Sequence, residues 1–193
     1  GMKRMTGDIS GALNESGTVR GRLIAVDQSE DSFRDVEKEK KKVFYTIVEA
    51  DVTDDTIVYG SIQIQDIYDN VTDRSGLPTD NDGNDLDWDR STFLAPAWNR
   101  WDKYSTIYKV GVEQNLANDW QLKMQASQQT AEANWLFATL EDFDSVSGDA
   151  NFSRWGQYNK ETSDSVELFL NGPVVLFNRS HEIVVGGNWK ERN

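Results

Sequence analysis

The sequence predicts an all-β chain, an antiparallel up-and-down meander of about eight strands, and two observations predict it. Apolar and polar residues alternate with period two in segment after segment along the whole length. Tight polar turns alternate with long connections, which in a meander gathers every short turn at one end and every long connection at the other.

In chain order, a weak first strand runs around Thr6 to Ala12. In the second, Val19, Gly21, Leu23 and Ala25 oppose Arg20 and Arg22. In the third, Phe44, Thr46, Val48 and Ala50 alternate with Tyr45, Ile47, Glu49 and Asp51; in the fourth, Val58, Gly60, Ile62 and Ile64 face away from Ser61, Gln63 and Gln65. The fifth sets Thr106, Tyr108, Val110 and Val112 against Lys109 and Glu113. The sixth is the cleanest, with Trp120, Leu122, Met124 and Ala126 against Gln121, Lys123, Gln125 and Ser127. Val166, Leu168 and Leu170 against Ser165, Glu167 and Asn171 make the seventh, and Ile183 and Val185 against Glu182 and Val184 the eighth.

The short connections are Asn14-Glu15-Ser16-Gly17, Val52-Thr53-Asp54-Asp55 and Leu116-Ala117-Asn118-Asp119. The long ones are expected at about Ser29 to Lys41, Tyr68 to Lys103 and Gln128 to Lys160. The link between strands seven and eight, with Gly172-Pro173 and Asn178-Arg179-Ser180, falls on the short side but reads as longer than its counterparts. This asymmetry is that of outer-membrane barrels, and a soluble sandwich has no need of it.

Composition excludes several function classes. With 33 acidic and 20 basic residues the net charge is -13, which repels phosphate backbones and makes nucleic acid an unsuitable partner. Without cysteine there is no disulfide and no thiolate metal site, and the redox compartment goes unmarked. No apolar run approaches the roughly 20 residues of a helical membrane span. Only 37% of residues are hydrophobic, which would suggest disorder, but seven tryptophans argue against it. The start, Gly1 to Met5, lacks the apolar stretch of a secretory signal; Gly1 before Met2 has the form of a tag scar and is set aside from fold reasoning. With no linker-like composition, residues 1–193 read as one β-barrel segment.

Three segments resemble a known family: Asp8 through Gly17 to Arg22, Val43-Phe44-Tyr45-Thr46-Ile47-Val48-Glu49-Ala50-Asp51, and Gly172-Pro173-Val174 through Val185-Gly186. Asn115 to Trp120 and Ala97-Trp98-Asn99-Arg100-Trp101 extend the likeness in consistent order over nearly the whole chain. They resemble the N-terminal part of the β-barrel of TonB-dependent ferric-siderophore receptors, particularly those like the ferric-pyoverdine receptor. The resemblance implies a barrel of about 22 strands in the outer membrane, closed by a plug. It also implies a ferric siderophore as ligand, TonB as partner and surrounding membrane lipid. The chain shows no signal peptide, plug or TonB-binding segment, so the expectation is a receptor fragment unable to transport alone, with no cofactor of its own.

The resemblance also nominates residues. Aromatic side chains at the outer mouth of such receptors contact the siderophore, which points to Trp98 and Trp101 in the second long connection, Trp135 and Trp155 in or beside the third, and Tyr104 and Tyr158 at junctions. Each has a plainer reading as an interfacial girdle or loop packing; Trp120 and Trp189, near strand ends, fit the girdle better. Arg20 and Arg22, on the polar face, would point into a lumen toward a plug.

Other motifs are plainer. Asp80 to Asp89 is rich in carboxylates around Gly83, but the calcium-loop spacing fails, placing Pro78 at the first ligand position and Asp89 at the last. It reads as a solvated acidic loop tip, and no metal site is expected. Glu37-Lys38-Glu39-Lys40-Lys41-Lys42 reads as a solvated run, with lipopolysaccharide phosphates as the alternative contact. His181, the sole histidine, is expected to cap the entry to strand eight, and no triad can be assembled. Glycosylation patterns at Asn14, Asn70, Asn151 and Asn178 are too short to carry weight. No enzyme chemistry is expected.

Two functions follow as expectations. The first is a segment of a ferric-siderophore receptor. The second is a soluble secreted or periplasmic β-protein binding a carbohydrate or small ligand through Trp98, Trp101 and Trp135. A partial barrel, a small closed barrel and a folded-over sheet all fit the strand count, and open edges at strands one and eight would favour a homo-oligomer.

Overall fold

A computed structural model describes residues 1–70 and 76–193 of the chain; Val71 and Thr72 of the pattern at Asn70 lie outside the described residues. The strands are β1 (Met2–Ala12), β2 (Val19–Asp31), β3 (Lys38–Thr53), β4 (Thr56–Asp69), β5 (Arg100–Asn115), β6 (Gln121–Phe143), β7 (Ala150–Leu176) and β8 (Arg179–Arg192). They form one 8-stranded sheet in sequential order, and each neighbouring pair is antiparallel.

The alternation in the sequence becomes two continuous faces because the register keeps it in phase from strand to strand. One row on the apolar face runs Gly21, Val48, Gly60, Val110, Ala126, Val166, Trp189. The corresponding row on the other face runs Glu49, Tyr59, Gly111, Gln125, Glu167, Asn188. The polar face is the more sheltered: Tyr45, Ile47 and Glu49 are half-buried while Phe44 and Val48 opposite are exposed. The apolar band also drifts against the register. Phe44 is in line with Ile64, then Thr106, Thr130 and Thr162, so the band sits further along β7 than along β3. Tilted strands around a barrel axis give this drift when the band stays at one depth.

No ordinary core forms. The buried apolar residues among those described are Val26, Ala95, Phe137, Ala138 and Leu140, whereas Met5 is 77% and Val110 61% exposed. The small closed barrel and the folded-over sheet are both corrected by this arrangement. Among the described residues β1 pairs only with β2 and β8 only with β7, and no second layer covers the apolar face. The reading of a soluble protein, which needs its stripes covered, is not favoured by this arrangement.

Strand glycines are packed by rings from neighbouring strands or, for Trp120, from the turn just before β6. Tyr59 lies over Gly111, Trp120 over Gly172 and Phe169 over Gly186, where an added Cβ would collide with each ring. Such covering compensates for the missing side chain and pins the register. Arg20 and Arg22 do reach the polar face, but each is engaged there in a bidentate pair. Arg20 donates to Asp51 at 2.6 and 2.7 Å, and Arg22 donates to Asp8 at 2.6 and 3.0 Å.

Several boundaries differ from the sequence reading. Gly1, set aside there, extends the ladder: its carbonyl accepts from the Asp31 N–H at 3.0 Å, so β1 begins well before Thr6. The first and third long connections shrink to 32–37 and 144–149, because β2, β3, β6 and β7 continue far past the apolar band. Along β2 and β3 both faces are polar there, and along β6 and β7 apolar side chains such as Trp135, Leu136, Phe137 and Phe152 fall on either face, so period-two contrast vanishes while main-chain pairing continues. The link after β7 is also short. Gly172 and Pro173 lie inside β7, and the turn is Phe177–Asn178, with φ of 51° and 59°. Those values are the left-handed pair of a type I′ hairpin. His181 is inside β8, in register with Val174, rather than capping its entry, and Lys38 to Lys42 lie within β3.

Candidate ligand site at the long-connection end

The outer reaches of β5, β6 and β7 bring together side chains distant in sequence. Trp101 and Trp135 are directly opposed across β5 and β6, and Phe137 and Trp155 across β6 and β7. All four project from the polar face because they keep the parity of Lys109, Lys123 and Glu167. The ring centroids lie 5.3 Å apart for Trp101 and Trp135, 6.1 Å for Trp135 and Trp155, and 5.4 Å for Phe137 and Trp155. Such aromatic pairs contribute about 0.5–1.5 kcal/mol each beyond the area they bury. The Lys103 ammonium sits 4.0 Å from the Trp101 ring centroid, adding a cation to the edge of the cluster.

The indole Nε1–H groups of Trp101 and Trp135 are both buried without a hydrogen-bond acceptor among the described residues. A buried donor left unpaired costs about 1–3 kcal/mol, so each of these N–H groups is a local cost carried by the cluster.

The other nominated aromatics are placed elsewhere. Tyr104 and Tyr158 have the opposite parity and face outward. Tyr104 packs edge-on against Tyr68 at 5.6 Å, and the Tyr158 hydroxyl donates to Glu132 at 2.9 Å beside the Lys160–Glu132 ion pair. Trp98 stays on the connection 70–99, 42% exposed, and joins no ring pair among the described residues. Sequence reading missed Phe137 and Asn99. Extending the parity of β6 from Lys123 through Trp135 would have found Phe137.

The middle connection is tied to both its neighbours. Asn81 Nδ2 donates to Asp144 at 3.2 Å, Trp88 meets Phe143 at 6.0 Å, and Trp88 Nε1 donates to the Pro78 carbonyl at 2.7 Å. On the other side the Asp35 N–H donates to the Ser91 carbonyl at 2.8 Å, and Arg90 lies 4.6 Å from the Phe33 ring. The acidic run is absorbed locally. Asp80 accepts from Asn84 Nδ2 at 2.8 Å and from the N–H groups of Asn84 and Asp82 at 2.7 and 2.9 Å, with Gly83 at φ 86° closing the turn. The Asn84 amide, followed by those main-chain donors, holds the Asp80 carboxyl below the usual carboxylate range.

No protein-family profile matches the chain. The ferric-pyoverdine 358 receptor of Pseudomonas putida is 32% identical over 194 residues, covering 97% of this chain and 23% of that receptor. The crystal structure of the ferripyoverdine receptor of the Pseudomonas aeruginosa outer membrane, bound to ferripyoverdine, superposes with a TM-score of 0.92. It is 30% identical over 99% of this chain and 26% of the receptor. This chain is a relative of the ferric-pyoverdine receptors. A further receptor structure, that of the FpvAI–pyocin S2 complex, superposes with a TM-score of 0.93 at 30% identity, over 99% of this chain and 25% of that one. The chain thus spans about a quarter of the length of the receptors it matches. Its meander is equivalent to one contiguous stretch of a TonB-dependent receptor barrel. That equivalence accounts for the unpaired outer edges of β1 and β8 and for the exposed apolar band.

Proposed function

We propose that this stretch forms wall and mouth of an outer-membrane receptor for a ferric siderophore, with Trp101, Trp135, Trp155 and Phe137 as contact surface for the chelate. The observation that carries the reading is the tryptophan cluster on the sheltered face, at the end where the long connection lies. The flat portions of an iron chelate suit its ring faces, and the Lys103 ammonium beside Trp101 suits the chelate's oxygens. The relatives' names supply the substrate class: ferric-pyoverdine receptors, one of them solved with ferripyoverdine bound. The rim residue Trp98 is a secondary contact, and the complex of a relative with pyocin S2 adds a protein as a second class of ligand. The polar face with the Arg20–Asp51 and Arg22–Asp8 pairs is the side that a plug would occupy in a complete receptor, where TonB would be the energy-coupling partner.

Quenching of tryptophan fluorescence by a ferric hydroxamate chelate, with the chain held in detergent, tests this reading. Trp101→Ala and Trp135→Ala should each weaken binding about 10- to 30-fold, the scale of an aromatic hot spot. Absence of quenching at millimolar chelate, or unchanged affinity in both variants, would overturn it.

A further inference from the structure

The most deeply buried side chain of the described residues is polar. Asn99 has no exposed surface at all. It stands where the β5–β6 ladder stops, since the last pair is Arg100 with Leu136 and the chain then turns away at Pro96, whose carbonyl accepts from the Asn99 N–H at 2.9 Å. With its main chain committed to that turn, Asn99 uses its side chain to continue the pairing. Nδ2 donates to the Ala138 carbonyl at 3.1 Å, and Oδ1 accepts from the Ala138 N–H at 2.8 Å. The side-chain amide therefore stands in for a peptide group of a missing strand residue. Only an amide offers one donor and one acceptor in that geometry. The Asn99 carbonyl accepts from Asn70 Nδ2 at 3.3 Å, so both ends of the middle connection converge on this residue.

Its position links it to the aromatic site. Asn99 lies between Trp98 and Trp101 in sequence, and Ala138 adjoins Phe137, whose ring is 6.1 Å from Trp135. We infer that Asn99 is a positioning residue for the ligand site, holding the end of the middle connection onto β6 so that the Trp101 and Trp135 rings stay in contact before any ligand arrives. The inference rests on the chelate reading for its functional meaning, but the positioning itself is measurable without a ligand. A preformed site binds more tightly because the ordering of rings and connection is not charged to the binding step.

Asn99→Asp keeps size and acceptor but sets a carboxylate against the Ala138 carbonyl, whereas Asn99→Ala removes both bonds. With the full chain in detergent, both variants should lose the circular-dichroism couplet of the tilted, adjacent indoles and bind the ferric hydroxamate chelate about tenfold more weakly. The strand signal should stay as in the parent, while the urea midpoint falls because the buried Ala138 N–H and carbonyl lose their partners. Asn70→Ala, which spares the buried pair, should keep the couplet. A folded Asn99→Asp chain with parental couplet and affinity would overturn the proposal. Should the variants not fold, hydrogen exchange at the Ala138 N–H of the unaltered chain decides. Protection equal to that of ladder amides is expected, and exchange as fast as in the connections would sink the idea. If the unaltered chain shows couplet and protection but no chelate binding, the chelate reading falls and the positioning role stands.

Discussion

At the residue scale, what matters is which polar atoms are satisfied and by what. Among the described residues the two indole donors of Trp101 and Trp135 have no acceptor, whereas the Asp80 and Asp144 carboxylates of the connections are satisfied by local donors. Asp144 accepts the Val146 N–H at 2.9 Å as well as the Asn81 amide, and main-chain donation from Val146 leads in holding its carboxyl below the ordinary range. Asp80 is lowered likewise, with the Asn84 amide as the leading cause. Because both folded values lie below the unfolded ones, their contribution is complete above the ordinary carboxylate pKa of about 3.9 and is lost only as pH falls through the lower folded values. The link between the connections at 76–99 and 144–149 should therefore resist proteolysis unchanged from neutral pH down to about pH 4 and loosen below it. Loosening at or above pH 5 would show that these carboxylates are not what holds it. The sequence named Trp101, Trp135, Trp155, Tyr104 and Tyr158 as candidates but put them on loops and junctions, so it did not separate the three tryptophans that share a face from the two tyrosines that face outward. Asn99 was not legible there, because its partner is the main chain of a residue 39 positions away.

At the element scale the strands are longer than their hydrophobic signatures. A tilted strand crosses a bilayer with about 9–11 residues, a length that β1 matches with 11 residues and that β6 and β7 exceed with 23 and 27. The excess carries the aromatic cluster beyond the apolar band. Two substitutions test what sets these elements. Gly111→Val would drive a side chain into the Tyr59 ring and should lower the unfolding free energy by about 1–3 kcal/mol, read as a shift of the urea midpoint in detergent. Phe177→Asn should act the other way. Phe177 is 97% exposed and held at φ 51°, a conformation costing about 1–2 kcal/mol in an L-residue that asparagine tolerates better. A gain of about 1 kcal/mol is expected, and a loss would mean that the ring makes a stabilising contact.

At the scale of the whole molecule the sheet is inverted relative to a soluble protein, with apolar residues out and polar residues sheltered. Val110 lies within the apolar row, and Val110→Arg should destabilise the chain in lipid by about 2–4 kcal/mol, measured by folding into vesicles. The same change should matter little if the band were not lipid-facing. The unpaired outer edges of β1 and β8 invite further strands. Taken alone in detergent, the 193-residue chain should sediment as an association of copies. A monodisperse monomer would rule that out.

The sequence by itself determined the strand count, the end of the sheet at which each turn lies, the two opposed faces and the kinship with ferric-siderophore receptors. The strand count, the turn ends and the faces follow from side-chain periodicity and local turn chemistry, and the kinship from segments that resemble that family. Only the tertiary structure decided where strands end beyond the apolar band, because there the main-chain ladder holds them and side-chain contrast falls silent. It also decided that the sheet stays open, and that Trp101, Trp135, Phe137 and Trp155 form one surface. Register between strands sets those juxtapositions, and no local stretch of sequence contains it.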